Sequence, residues 1–293
     1  MQKPDTSATS VDAASRSIEQ VEQRVQIEST QKRTRDRRSE ILFPILFTVG
    51  LLVAWEVAAD LFKIPTYLFP APSAILAACR DNAAILIRES WTTTVEILLG
   101  YLLSIVVGIP LALGIFHWPP FAKSVYPLMI STQAMPKVAI APLFVVWFGF
   151  GLLPKVLIAF LIAFFPIVIN TVMGLSQIEQ EKIFLARSMG LSRFGTFRLI
   201  RLPNALPSIF AGLKISITLA VVGAVVGEFV GGDAGLGYLL MIANGNLNTP
   251  LLFAGVLALT VLGLVMFYVV ELLEYLAMPH IDRASRNPGS GTM

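Results

Sequence analysis

The fold is decided by long apolar runs, of which the clearest is residues 153–175, LPKVLIAFLIAFFPIVINTVMGL. A helix needs about 20 mainly apolar residues to cross a bilayer, and this run is long enough. Six such runs predict spans at about 41–61, 91–116, 125–149, 153–175, 205–230 and 251–276. The third is the weakest because Pro127, Pro136, Lys137 and Pro142 interrupt it. We therefore expect an all-α integral membrane protein with six transmembrane helices.

The overall composition supports a membrane protein. Of the 293 residues, 55% are hydrophobic and 14% are charged, and the mean hydropathy is +0.73. Soluble domains carry about 25% charged residues. The deficit excludes a disordered chain and argues against an ordinary soluble enzyme. The single cysteine, Cys79, permits no internal disulfide, and the two histidines have no metal-ligand spacing.

The charged residues also predict the orientation. Residues 1–40 are polar and contain no apolar segment of signal-peptide length, so we expect a disordered tail. Of the 22 Lys and Arg residues, 16 fall in the tails and in the loops that an inward N-terminus places in the cytoplasm, 4 fall in the opposite loops and 2 in spans. This bias predicts cytoplasmic termini, a cytoplasmic loop at 176–204 and a C-terminal tail at 278–293. The basic cluster before the first span indicates topology rather than nucleic-acid binding.

Small residues recur along the fifth run. Gly212, Ser216, Ala220 and Ala224 follow at steps of four, and Gly223 and Gly227 lie one residue out of register. Small residues at one-turn spacing allow membrane helices to pack closely. Two arrangements remain open. The row packs inside one bundle, or it lines a passage between two copies of the chain.

Few polar residues fall within the predicted spans. Lys137 and Lys214 lie close enough to a span end to reach the interface. Gln133 and Asn170 adjoin Pro136 and Pro166, and either satisfies backbone groups freed by the proline or faces a solute path. Glu228 closes the fifth span, where it is expected to reach water. We therefore predict no buried carboxylate relay.

The sequence offers no catalytic constellation, and we predict neither an enzyme nor a cofactor or metal site. There is no Gly-Lys dipeptide and hence no phosphate-binding loop of the form GxxxxGK[ST]. The motifs HExxH, CxxC and GxSxG are absent as well. If the chain takes part in ATP-driven work, a partner must bind the ATP.

The loop 176–204 predicts two short helices joined at a glycine. Residues 178–189 favour a helix, and Gly190 allows the positive φ that ends it. Ser192 is expected to cap a second helix, Arg193–Ile200, which Pro203 then stops before the fifth span. The second helix is expected to expose Phe194, Phe197, Arg198 and Arg201. This elbow is equally consistent with a docking site for a partner protein and with an amphipathic pair lying on lipid.

The same loop resembles a known motif. Three residues separate Ala186 from Gly190, and nine separate Gly190 from the segment Ile200-Arg-Leu202-Pro203. This spacing matches that of the EAA loop, which is found in the permease subunits of ATP-binding-cassette (ABC) importers. Phe184 and Leu185 stand where that motif has Glu and Ala. The segments 136–139, 143–149, 165–171 and 235–238 resemble the nitrate, sulfonate and taurine branch of these permeases, whose subunits have the type I importer fold.

The resemblance implies a homodimer in a bacterial inner membrane, with two cytoplasmic ATPase subunits that bind ATP and an extracytoplasmic solute-binding protein. It implies a loop contact that transmits ATPase closure, through Leu185, Ala186, Arg187, Met189, Gly190, Ile200, Leu202 and Pro203. It also implies a translocation path at the dimer axis, with Gln133, Asn170, Ser216 and Glu228 as candidates. The solute would be a small anion such as an alkanesulfonate, taurine or nitrate, or alternatively a pyrimidine precursor or an aromatic carboxylate. A secondary transporter and a membrane scaffold are the other classes considered.

Overall fold

The computed structural model describes residues 42–278, so the predicted tails lie outside the described residues apart from Met278. This part of the chain is helical and contains no strand. It divides into two compact units. The first contains α1 (Leu42–Leu61), a 20-residue helix that matches the first predicted span. The second unit begins at Pro65 and contains all the other helices.

The second unit contains ten α-helices within the described residues. Their bounds are α2 (Pro72–Asp81), α3 (Ala83–His117), α4 (Pro119–Ala134), α5 (Lys137–Phe148), α6 (Leu152–Ser176), α7 (Gln180–Ser188), α8 (Arg193–Thr196), α9 (Leu202–Gly231), α10 (Leu236–Gly245) and α11 (Thr249–Ala277). Across the described chain, five helices are long and apolar enough to cross a membrane, and six if α4 and α5 form one broken span. The prediction of an all-α membrane protein is confirmed.

The third predicted span is not one helix. Helices α4 and α5 meet at a bend of 95°. Pro136 has no N–H to continue the helix, and the residue before a proline is displaced towards extended backbone. Met135 accordingly has φ −72° and ψ 134°. The third predicted span, 125–149, is therefore broken at Pro136, one of the prolines that interrupt it in the sequence.

The core forms where α3, α6 and α9 meet. Its buried apolar side chains include Ile97 on α3, Ile167 on α6 and Ile217 on α9. The small residues of α9 bring its backbone close to α6. A Cβ added at Gly223 would lie 2.6 Å from Cα of Ala159, and one added at Gly227 would lie 2.9 Å from Cα of Lys155.

The row of small residues on α9 thus faces α6 of the same chain. Gly212 packs beside Asn170 of α6, where an added Cβ would lie 2.7 Å from the Asn170 Cβ. Ser216, Ala220 and Ala224 are fully buried. This is the first of the two arrangements considered above. A row enclosed within one chain does not line a passage between two copies.

Helix α10 has no counterpart in the sequence-based prediction, which assigned residues 231–250 to an external loop. The helix is ten residues long, and Leu236, Gly237, Leu239, Leu240 and Ala243 are buried. Leu236 and Leu239 pack with Ala254 of α11 and Leu86 of α3. A segment this short and apolar is typical of a helix that enters a bundle without crossing it.

Candidate functional site

The predicted elbow forms at Gly190. The residue has φ +80°, a left-handed conformation that favours glycine. Its N–H donates to the carbonyl of Arg187 (3.0 Å), and the N–H of Leu191 donates to the carbonyl of Ala186 (3.1 Å). This pair of hydrogen bonds is the Schellman motif, which satisfies carbonyls at the end of a helix. Gly190 therefore ends α7 as the sequence predicts.

The two sides of α7 have different roles. Ile183 and Ala186 are buried against the rest of the chain, with 3% and 1% of their surface exposed. Leu185 and Met189, one turn apart, are 63% and 73% exposed. Ala186 was expected to touch a partner, but the structure places it beneath the surface. The side of α7 that is open to a partner carries Leu185 and Met189.

The second half of the loop is continuous with the fifth span. The Ser192 hydroxyl accepts the N–H of Gly195 (3.1 Å) and caps α8, as predicted. From Phe197 to Arg201 the backbone forms a π-helical turn, and the N–H of Leu202 donates to the carbonyl of Phe197. Helix α9 follows without a break, so residues 193–231 form one rod. Pro203 was expected to stop the helix, but it lies in the first turn of α9, where a missing N–H is tolerated.

Two side chains expected to be exposed instead hold the loop to the bundle. The ring of Phe197 contacts the ring of His117 at the end of α3, with centroids 5.3 Å apart. The Arg201 guanidinium lies 4.9 Å from the ring centroid of Phe116 and donates to the Leu175 carbonyl at 3.4 Å. Both side chains are half-buried. Ile200 and Leu202 are half-buried and Pro203 is exposed.

The polar residues of the spans are accounted for individually. Asn170 donates to the Pro166 carbonyl at 2.8 Å, the backbone-satisfying role. Lys214 forms an ion pair with Glu274 of α11 at 2.8 Å, and Lys137 lies 4.3 Å from the Phe165 ring centroid. Gln133 is exposed at the end of α4, beside the break. Of the predicted path residues, the structure leaves Gln133 accessible and encloses Ser216.

Glu228 is fully buried, and the expectation that it reaches water was wrong. One of its carboxylate oxygens accepts the Thr93 hydroxyl at 2.6 Å, and the other accepts the N–H of Gly237. The N–H of Gly235 donates to Glu89 at 2.7 Å, and the N–H of Leu236 donates to the Thr93 oxygen at 2.9 Å. The first N–H groups of α10 are thus bonded by side chains of α3 and α9, because a helix N-terminus attracts carboxylates.

Lys155 completes this ionic cluster, which we define as Glu89, Thr93, Glu96, Lys155, Glu228 and Asp233. All of these side chains are buried except that of Asp233, which is 71% exposed. Its ammonium group lies 2.9 Å from Glu96 and 3.2 Å from Asp233, and it donates to the Ala234 carbonyl at 3.0 Å. Lys155 is 2% exposed although it lies at the outer end of the predicted span 153–175, where its charge was counted on the external side. The hydrogen bond from Lys155 lowers the pKa of Asp233, which lies in the loop after α9.

Sequence reasoning missed this cluster because the second span was started at residue 91, which left Glu89 in a loop. Helix α3 begins instead at Ala83. Glu89, Thr93 and Glu96 are spaced i, i+4, i+7 and share one face of α3. The alignment of Glu89, Thr93 and Glu96 on one face, with Glu96 inside the predicted span, was the available signal. Their partners on α6 and α9 could not be paired with them without the packing.

The two sites lie at opposite ends of the bundle. The ionic cluster adjoins the start of α6 and the end of α9, and the Gly190 elbow adjoins the end of α6 and the start of α9. The described chain thus combines helices of membrane-spanning length with a short inserted helix and an exposed loop that turns at Gly190, which is the architecture of a multi-pass membrane protein.

Comparison with known proteins identifies the family. The family of binding-protein-dependent transport system inner membrane components matches residues 100–279. The chain is 36% identical to the formylaminopyrimidine transport permease protein ThiX of Halalkalibacterium halodurans, over 83% of this chain and 97% of that protein. It is also 36% identical to the riboflavin transport system permease protein RibX of Chloroflexus aurantiacus, over 77% and 85% respectively. The chain therefore belongs to the family of binding-protein-dependent transport system inner membrane components.

More distant matches agree on the class. The taurine transport system permease protein TauC of Escherichia coli is 27% identical over 73% of this chain and 80% of its own length. The MetNI methionine ABC transporter has the same fold, with a TM-score of 0.57 and 19% identity over 67% of this chain and 97% of that chain. The predicted type I fold is confirmed. The chain is a permease subunit of an ABC importer, a transport component without ATPase activity of its own.

Proposed function

We propose that the loop from α7 to α8 receives the motion of a cytoplasmic ATPase and passes it to α9 as a rigid lever. The observation that carries this proposal is the continuity of α8, the π turn and α9, which together span residues 193–231. A helix without a flexible linker transmits displacement along its length. The Gly190 elbow holds α7 against this rod, and α7 presents Leu185 and Met189 to the partner. ATP is then bound by the partner subunits.

The lever is tested by reconstituting the chain in liposomes with its ATPase and its binding protein. The matched variants are Leu185→Ser and Leu76→Ser, because both leucines lie on short helices and are 63% and 64% exposed. We expect Leu185→Ser to weaken ATPase binding by about ten-fold, since exposed apolar anchors at an interface contribute about 1–2 kcal/mol. Leu76→Ser should leave binding unchanged. Equal effects of the two variants would contradict the proposal.

The orientation follows from the positive charges of the loops. We infer that the loop faces the cytoplasm, because the segments assigned to that side carry 16 of the 22 Lys and Arg residues. Both termini then lie in the cytoplasm, and the ionic cluster lies towards the binding protein. In this orientation, a cytoplasmic ATPase can contact the loop from α7 to α8.

We further propose that solute passes the break between α4 and α5. Non-helical backbone at membrane depth is tolerated only where it is buried in protein or lines an aqueous cavity. Gln133 is exposed beside the break and is the path candidate we retain. Gln133→Ala should lower solute uptake while the ATPase still binds. If uptake is unchanged, the path lies elsewhere.

For the solute, we propose a nitrogen heteroaromatic compound of the pyrimidine class, which is the alternative to a small anion that the family resemblance allows. Relatives at 36% identity are named for formylaminopyrimidine and riboflavin, whereas the taurine protein is 27% identical. The test is uptake of a labelled aminopyrimidine against labelled taurine by the reconstituted complex. Preferential uptake of taurine would contradict the pyrimidine proposal and favour a small anion as the solute.

We also propose a homodimer, as the family resemblance implies. Opposite its row of small residues, α9 exposes Ile215, Val222 and Phe229, each seven residues from the next. This spacing places the three apolar side chains along one side of α9, a surface that suits a second copy. Light scattering of the purified complex should give two permease chains. A single chain in a complex that still transports would contradict the homodimer.

A further inference from the structure

A cationic cavity lies at the base of the elbow, on the side of α7 opposite to Leu185 and Met189. Its volume is about 260 Å³. Arg187 from α7, Arg193 from α8 and Arg201 from the π turn line it, together with His117 from the end of α3. Three segments, namely α7, the rod of residues 193–231 and the end of α3, therefore bring three arginines and one histidine to one half-enclosed space.

The three arginines have no carboxylate partner among residues 42–278. Of the nearby glutamates, Glu179 pairs with Lys182 at 3.2 Å. Guanidinium groups gathered without an anion repel each other, and a bound anion removes that cost. Arg201 is held in place by its contacts with the Phe116 ring and the Leu175 carbonyl. Planar guanidinium donors match the geometry of phosphate oxygens.

A second, apolar pocket of about 380 Å³ adjoins the cationic cavity. The two share His117, Arg193 and Phe197, and the second adds Leu113 and Phe194. An apolar surface does not stabilise a bound inorganic anion. It can pack against the acyl chains of a phospholipid, which are attached to the phosphate. The position agrees with this, since Trp118 is 62% exposed at the adjacent helix end, where aromatic residues mark the membrane interface.

We propose that this cavity binds the phosphate of an anionic phospholipid, with an acyl chain along Leu113 and Phe194. Basic pockets between helix ends on the cytoplasmic side are suited to anionic head groups. Arg187 belongs to the same helix as Leu185, so the lipid ties the partner-facing helix to the membrane. The lipid site itself does not depend on the ATPase lever, but this consequence does.

Trp118 provides a direct readout. We would use the full chain with Trp55, Trp91 and Trp147 replaced by Phe, purified in detergent without the ATPase. Phosphatidylglycerol and phosphatidylcholine, each brominated on the acyl chains, are then titrated as quenchers of Trp118 fluorescence. We expect phosphatidylglycerol to quench at a clearly lower concentration. Arg187→Gln and Arg193→Gln should each weaken this preference by about ten-fold, the loss of one charged hydrogen bond.

Arg198→Gln is the matched control, because Arg198 is exposed like Arg187 and Arg193 and lies in the same loop, but does not line the cavity. It should leave the preference unchanged. Equal quenching by the two lipids, or an equal loss in Arg198→Gln, would overturn the proposal. Displacement by inorganic phosphate would identify a soluble-anion site instead. Arginine variants that keep lipid binding but lose ATPase binding would make the cavity a protein contact.

Discussion

At the scale of single residues, Gly190 is distinguished by backbone conformation alone. Nothing lies within 4 Å of a Cβ added there, so space does not require glycine, but its φ of +80° does. Gly263 in α11 also has open space around it and has an ordinary helical conformation. The two positions therefore separate the effect of conformation from the effect of volume.

We predict that Gly190→Ala destabilises the elbow by roughly 1–2 kcal/mol, the cost of an L-residue in the left-handed region. Hydrogen exchange at the Leu191 amide, which bonds to Ala186, should accelerate by a factor of about 5–30. Gly263→Ala should not change exchange at Leu191. Unchanged protection of Leu191 in the Gly190 variant would mean that the Schellman turn is not maintained by glycine.

A second residue-scale prediction concerns Lys155. Replacing it with Met leaves Glu96 buried without its cation, and breaking a buried pair from one side costs about 3–5 kcal/mol. Thermal unfolding in detergent should show a large fall in Tm for Lys155→Met. The double variant with Glu96→Gln should recover part of it, because the unpaired charge is removed.

Lys182→Met is the control for charge removal as such. Lys182 pairs with Glu179 at 3.2 Å, and both side chains are more than half exposed. Exposed pairs contribute about 0–1 kcal/mol, so Tm should hardly move. If Lys155→Met behaved like Lys182→Met, the ionic cluster would not be a stabilising element.

At the scale of elements, α10 is held at its N-terminus by side chains of other helices. Gly235 has φ +111°, and a Cβ at this position would collide with the Glu228 carboxylate. The chain can therefore pass the carboxylate and begin α10 only with glycine here. Thr93 connects the two sides, because its oxygen contacts Glu228 and accepts the N–H of Leu236.

We predict that Thr93→Val loosens α10. The change keeps the shape of the side chain but removes a buried bond to a carboxylate and an acceptor for an amide, a cost of about 2–4 kcal/mol. Amide exchange at Leu236 and Gly237 should accelerate well before global unfolding. Thr94→Val is the control, because the Thr94 hydroxyl donates only to the Ser90 carbonyl of its own helix. Equal protection of α10 in both variants would contradict the clamp.

Sequence predicted the elements that depend on local chemistry. The Ser192 cap, the Gly190 turn and the long apolar helices are each specified by residues close together in the chain. The errors have long-range causes. Glu228 and Lys155 looked like residues at span ends, and only the approach of α3, α6 and α9 encloses them. The effect of a proline also depends on the backbone around it. The chain bends by 95° at Pro136, whereas the helical rod continues without a break at Pro203.

At the scale of the whole molecule, the second unit has two chemically different ends. One end carries the cluster of buried carboxylates and Lys155, and the other carries the arginine-lined cavity and the exposed elbow. This asymmetry agrees with the excess of basic residues on one side of the predicted topology. In the proposed orientation, the first end faces the binding protein and the second faces the ATPase.

The orientation can be measured directly because Cys79 is the only cysteine in the sequence. In a Cys79→Ser background, Ser188→Cys marks the elbow and Asn246→Cys marks the turn after α10, and both positions are exposed. We predict that a membrane-impermeant maleimide labels Asn246→Cys in intact cells and labels Ser188→Cys only after permeabilisation, because basic loops remain in the cytoplasm. The reverse labelling pattern would place the elbow outside the cytoplasm, where a cytoplasmic ATPase cannot contact it, and would contradict the lever proposal. Labelling of both cysteines in intact cells would refute a bundle whose two ends lie on opposite sides of the membrane.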